Sequence, residues 1–216
     1  MPLHTTDALI LRTYQLGESD RIVVFLTRDR GKRRGVAKNA RQSRRRFGGA
    51  LEPMTCGRVG YVERERRDLV RLDYVEVLRS PLSAADPSAL GYVSYFAELI
   101  DEWAQEADPN EPLFRLGAST VDAMAVGVPI EPLARYFEYW LLRLQGVYPE
   151  ARGTLSDDAM AFLAASRSVA PQQVGDVAVP RGVLRELETV HRALISMHLE
   201  KHLKSDRVLR DLRRQH

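Results

Sequence analysis

A chain of 216 residues, 44% hydrophobic and 28% charged, has the composition of a soluble globular protein with room for one large or two small cores. Its single cysteine, Cys56, excludes an intramolecular disulfide and a cysteine-based zinc site. No apolar run approaches the roughly 20 residues that cross a bilayer, and Met1–Asp7 lacks the basic and apolar regions of a secretory leader, so a cytoplasmic setting is expected.

The net charge of +3 conceals a polarity along the chain. Residues 1–80 hold 18 Lys/Arg against 10 Asp/Glu, residues 81–150 hold 3 against 11, and residues 151–216 hold 11 against 8. A basic segment beside an acidic one points to nucleic acid for the first and another task for the second.

The first 80 residues read as strands. Ala8, Ile10 and Tyr14 alternate with Leu9, Leu11 and Thr13, a nearly continuous strand with two faces to bury. After the Gly17–Asp20 turn, Arg21–Thr27 is β-branched and aromatic, and Arg30-Gly31 turns the chain into Lys32–Lys38. Further strands are expected near 57–64 and 69–78, around the charged corner 64–68. About five short strands in 80 residues suggest a small barrel or sandwich, and a five-stranded OB-type barrel is the economical choice.

From Pro81 the period becomes helical. Asp86-Pro87 supplies cap chemistry for a helix carrying Leu90, Val93, Phe96, Ile100 and Trp103. Pro112 opens a second helix that Gly127 closes, and Pro132 a third that Gly146 closes. Ser156-Asp157-Asp158 caps a short helix to about Ala165, within a stretch, 147–180, that is otherwise irregular. Pro180 precedes a long helix through Met197, and Ser205 caps a last basic helix, Asp206–Arg214. The expected fold is therefore α+β and multi-domain, with a β domain over 1–80 and a helical bundle over 81–216.

Ten cations with one acid, Asp29, lie between Arg28 and Arg46. On a strand, Lys32, Arg34 and Lys38 share one face and Arg33 takes the other, while the loop Asn39–Arg46 projects four more arginines. Arg30, Lys32, Arg33, Arg34, Lys38, Arg41, Arg44, Arg45 and Arg46 are the candidate nucleic-acid contacts, for DNA or RNA alike. The density exceeds what protection of a sheet edge requires. Tyr14, Phe47 and Tyr61 are candidate stacking rings, though small barrels more often bury such residues.

His191, His198 and His202 have helical spacing but lack the glutamate of a His-Glu-x-x-His motif, so no metal is expected there. The acids Asp101, Glu102, Glu106, Asp108 and Glu111 read as a solvated helix face. No nucleophile elbow, phosphate-cradling glycine loop or acid–base pair stands out. An enzyme is not expected, nor a cofactor.

Ala8–Arg21, Leu26-Thr27, Gly31–Arg41 and Phe47–Pro53 resemble the N-terminal part of the bacterial RecO family of DNA repair and recombination mediators. His202–Leu212 is similar to that family's terminal Leu-Lys-Ser helix. The resemblance implies an OB-fold domain followed by a helical domain. It also implies binding of single- and double-stranded DNA, annealing of complementary strands, and action in the cytoplasm, at the nucleoid, without a membrane. The implied partners are RecR, sometimes RecF, and the acidic tail of single-strand-binding protein (SSB), in loading the RecA recombinase on SSB-coated DNA.

Many members carry a four-cysteine zinc module, whereas here Gly146–Glu150 runs directly into Ala151–Ser156, so the module is expected to be absent. Lys201, Lys204, Arg207 and Arg210 lie on the basic C-terminal segment and are candidates for receiving the SSB tail or extending a DNA track, with neutralisation of the acidic helices as the alternative. A plain OB-fold binder of single-stranded DNA or RNA, without annealing or loading, is the competing function.

Overall fold

A computed structural model describes residues 3–43, 45–63, 68–81, 87–149, 155–200, 203–205 and 209. Five strands, β1 (Leu3–Leu16), β2 (Asp20–Thr27), β3 (Gly31–Ala37), β4 (Cys56–Val62) and β5 (Val70–Arg79), close into a barrel in the order β1-β2-β3-β5-β4. Strand β1 closes the ring by pairing antiparallel with both β2 and β4, and its register shifts between Ile10 and Arg12. Strands β3 and β5 pair in parallel through Gly35–Ala37 and Val70–Leu72. Five strands closed in this order form the OB-type barrel expected from the strand spacing.

Both faces of β1 are buried, for different reasons. Ala8 and Ile10 point into the barrel with Val23, Phe25, Val59, Tyr61, Val70 and Leu72. Leu9 and Leu11, one step out of phase, join Val24, Leu26, Met54 and Cys56 against the helices. A period of two sends alternate residues to opposite faces, so one apolar strand serves two cores.

The helices are α1 (Pro87–Trp103), α2 (Glu111–Ala125), α3 (Ile130–Leu144), α4 (Asp157–Ser166) and α5 (Arg181–Leu199), with a 3-10 helix at Pro171–Asp176. Helix α2 begins one residue before Pro112, because Asn110 caps it by accepting the Leu113 N–H at 3.1 Å. Ser156 caps α4 through the Ala159 N–H, as expected. Within its described part the stretch 147–180 is more ordered than expected, because the 3-10 helix Pro171–Asp176 follows the expected α4. Asp86 and most of the terminal basic helix lie outside the described residues; Ser205 and Leu209 are helical and buried.

The bundle core continues without interruption onto the outer face of β1 and β2, through Tyr92, Phe96, Ile100 and Trp103 of α1. The segment after α1 also joins the barrel edge: Lys32 N–H donates to the Gln105 carbonyl and the Ala107 N–H to the Lys32 carbonyl, both at 3.1 Å. This approach requires Gly31, whose φ is +70° and where a Cβ would overlap the Asp108 backbone.

Candidate nucleic-acid interface

The ten-cation run divides into two parts with different environments. Along β3 the alternation holds, with Lys32 and Arg34 toward α1 and Arg33 away from it. Lys32 Nζ donates to the Asp101 carbonyl at 2.6 Å and to its carboxylate at 3.1 Å. Arg34 Nε lies 2.7 Å from Glu106, and Arg33 Nη2 lies 3.4 Å from Glu63. Arg12 of β1, which the charge pattern did not single out, adds to the same face: its Nε is 2.8 Å from Asp101 and its Nη2 3.4 Å from Glu102. Before the strand, Arg28 reaches Glu111 at 2.9 Å and Arg30 is exposed beside Asp29 at 3.8 Å.

Of the acids expected on a solvated face, Glu106, Asp108 and Glu111 are exposed, but Asp101 and Glu102 of α1 are half-buried against the barrel. Asp101, with a side chain only 13% exposed, binds two barrel cations. Where phosphate oxygens would sit on a free basic strand, the carboxylates of this chain already do. A groove of about 610 Å³ remains between barrel and helix, lined by Tyr14, Ile22, Val24, Lys32, Arg34, Asp68, Leu69, Asp101 and Glu106. Its two cations, Lys32 and Arg34, are matched by three acids, Asp68, Asp101 and Glu106, so its net attraction for a polyanion is weak.

Beyond Ala37 the cations meet no carboxylate among the described residues. Lys38, Arg41 and Arg45 are exposed, and Arg41 Nη1 is held by the Glu18 carbonyl at 3.2 Å. Arg46 shapes the loop: its Nη2 donates to the Lys38 carbonyl at 2.8 Å, its Nε to the Ser43 hydroxyl at 2.9 Å, and its guanidinium lies 5.0 Å from the Phe47 ring. Phe47 itself is buried in the barrel and plugs the loop onto it. Arg44 lies outside the described residues. Of the candidate stacking rings, Phe47 and Tyr61 are core residues, because both point inward from the closed barrel; Tyr14, 47% exposed, is the one with an accessible face.

Among the described residues the histidines are not assembled. His191 is fully buried, with Nδ1 3.0 Å from Glu138, while His198 stacks on Trp103 and His202 lies outside the described residues. Glu138 is the centre of a buried network that sequence reading missed, receiving Arg135 Nη2 at 2.7 Å and the Tyr95 hydroxyl at 2.8 Å. Burial alone would raise its carboxyl; the Arg135 charge and the hydrogen bonds of His191 and Tyr95 outweigh it and hold the group below the usual range. The hidden signal was Arg135 and Glu138 at i,i+3 inside an apolar helix, where charges seldom sit unpaired.

At the C-terminal end, Lys204 is exposed and Ser205 buried, and their N–H groups donate to Glu98 of α1 at 3.0 and 2.7 Å. Glu98 is nearly buried, which would raise its carboxyl; the hydrogen bonds from this segment and the nearby Arg12 overcome that and lower it. Lys201, Arg207 and Arg210 lie outside the described residues. Among the described residues, no helix is long and apolar enough to cross a membrane.

A closed five-stranded barrel with a cationic loop that meets no carboxylate among the described residues, packed on an acidic helical bundle, defines an OB-fold protein, a class whose barrels bind oligonucleotides and oligosaccharides. Residues 1–81 match the family model for the recombination protein O N terminal, and residues 84–154 that for the recombination protein O C terminal. The chain belongs to the RecO family. It is similar to the DNA repair protein RecO of Koribacter versatilis (strain Ellin345), 45% identical over 150 residues, or 68% of this chain and 61% of the relative. It is also similar to DNA repair protein RecO of Anaeromyxobacter sp. (strain K), 41% identical over 142 residues, or 65% and 56%. The same protein of Geobacter metallireducens is 38% identical over 141 residues, or 65% and 57%. The match thus spans only about six tenths of the length of these relatives.

Proposed function

We propose that this chain acts in DNA repair as a non-enzymatic mediator, binding single- and double-stranded DNA through the loop Lys38–Arg46 and annealing complementary strands. With RecR, and in some settings RecF, it would help load RecA onto DNA coated by SSB, whose acidic tail it would contact. The family and its relatives' name, DNA repair protein RecO, support the setting. The observation that carries the site is that Lys38, Arg41 and Arg45 are exposed with no carboxylate partner among the described residues, whereas Lys32, Arg33 and Arg34 are paired.

Annealing of this kind needs no catalytic group. Two strands repel through their phosphates, and a surface that neutralises phosphates on each lowers that repulsion and releases counterions. Base pairing then drives the reaction without a nucleotide cofactor. The test is annealing of complementary labelled strands with and without an SSB coat, comparing the unmodified chain with Lys38→Ala, Arg41→Ala and Arg45→Ala combined. Three lost phosphate contacts would flatten the log–log salt dependence of single-strand binding by about 2 and slow annealing. An unchanged slope would remove the loop from the DNA site. Tight binding without any annealing would leave a plain single-strand binder.

A further inference from the structure

Arg143, in the last turn of α3, and Arg167, just beyond α4, are both exposed. Both donate to a single neutral atom, the phenol oxygen of Tyr139, from Arg143 Nη1 at 3.1 Å and Arg167 Nε at 2.5 Å. Their guanidinium carbons lie 5.7 and 5.8 Å from the Tyr139 ring centre, and that of Arg143 5.9 Å from the half-buried Trp140 ring. Among the described residues neither has a carboxylate within 4.0 Å, whereas Arg135 and Arg192 of the same bundle both pair with Glu188. The phenol of Tyr139 is buried, and with two N–H groups pointed at its oxygen it has no acceptor capacity left for more.

Two cations drawn together on a neutral oxygen repel each other. The partial negative charge of two helix C-termini offsets part of that repulsion. Each guanidinium has five N–H groups, and in each pair-directed contact only one is used on Tyr139. Both residues are exposed, so the remaining donors are available to the oxygens of a bound anion.

We propose that Arg143 and Arg167, braced by Tyr139, form a phosphate-binding site on the helical bundle that takes the backbone of a DNA strand, separate from the barrel loop. The inference rests on the reading that the chain binds DNA, and deepens it, because annealing must hold two strands and a second phosphate site gives the second strand a place. A DNA strand is favoured over an acidic peptide by the ring of Trp140 beside the guanidiniums, the combination of cation and π-face that single strands use.

The full chain carrying Arg143→Gln with Arg167→Gln tests this, with a labelled 30-nucleotide oligo-dT strand as probe and binding followed across salt concentrations. Loss of two phosphate contacts should flatten the log–log slope by about 1.4, and by the same amount when Lys38→Ala, Arg41→Ala and Arg45→Ala are also present. A slope equal to that of the unmodified chain, with an unchanged melting temperature, overturns the proposal. If the loop substitutions alone have no effect while the bundle pair does, the barrel-loop reading fails and this site stands. Arg143→Lys with Arg167→Lys keeps both charges and should restore most of the slope; a lysine pair as flat as the glutamine pair would indicate a packing defect and overturn the site. Titration with an Asp/Glu-only hexapeptide is the last arm. Peptide binding lost in the glutamine pair, with the DNA slope intact, would make this a peptide site and overturn the assignment to phosphate.

Discussion

Asp101→Asn should lower stability and raise DNA affinity together, because one carboxylate both clamps α1 to the barrel and occupies its cations. Its oxygens lie 2.8 Å from Arg12 Nε and 3.1 Å from Lys32 Nζ, and the three side chains are 13%, 24% and 15% exposed. At an effective dielectric near 20, each pair has a gross attraction of about 5 kcal/mol, most of it cancelled by desolvation. Removing one partner of a fully buried pair costs about 3–5 kcal/mol. Here Arg12 keeps Glu98 and Glu102, and Lys32 keeps the Asp101 carbonyl, so about 2 kcal/mol is the reasoned cost. In a domain of this size that lowers Tm by about 4–8 °C. The same change frees Lys32 of its carboxylate partner beside Arg34 in the groove that Tyr14 and Val24 line. Neutralising one further phosphate there should steepen the single-strand salt slope by about 0.7. Scanning calorimetry and fluorescence anisotropy on one preparation read both effects. An unchanged Tm would refute the clamp, and a lowered Tm with unchanged DNA binding would refute masking of the barrel cations by α1.

Three further outcomes follow from the same structure. Gly31→Ala should destabilise by about 1–3 kcal/mol or more in urea unfolding, since the residue has φ +70° and a Cβ would overlap the Asp108 backbone; full stability would refute that close approach. Cys56 should resist thiol reagents in the native chain and react on unfolding, because burial pushes its thiol up to about 12; rapid native labelling would contradict its burial. Stability should fall in acid. Glu138 and Glu98 titrate below their ordinary range, so their contribution is full above about pH 4.3, the unfolded value, and is lost as pH falls through the lowered folded values. Urea midpoints at pH 7, 5 and 3.5 measure this, and Glu138→Gln should flatten the profile; a midpoint independent of pH would show that neither carboxyl is held in its charged form.

The barrel, the helix order and the basic run were legible in the sequence because each rests on local periodicity or composition. Alternation in Ala8–Thr13 identified a strand with two buried faces, and the helical spacing of Val93, Phe96 and Ile100 identified α1 with its apolar stripe. Helix starts at Asp157 and Arg181 followed from Ser156 and Pro180, whose backbone and side-chain preferences act within a turn. The family resemblance was legible on the same local terms.

Charge, by contrast, has no partner until the chain folds. Lys32 and Lys38 look alike in sequence, but Asp101 lies 69 residues from Lys32 and is brought to it by the packing of α1 on β1, while nothing acidic among the described residues is brought to Lys38. Closure of the barrel likewise decided that Phe47 and Tyr61 are core and Tyr14 is accessible. Arg135, Glu138 and His191 gained their meaning only when α3 and α5 met, and Arg143, already one turn from Tyr139 on α3, was joined by Arg167 only when the end of α4 packed there. Periodicity is a property of a few neighbouring residues and survives in the linear chain. Which ion is neutralised and which is left free depends on distances of about 3 Å between residues far apart in sequence, and those distances exist only in the folded molecule.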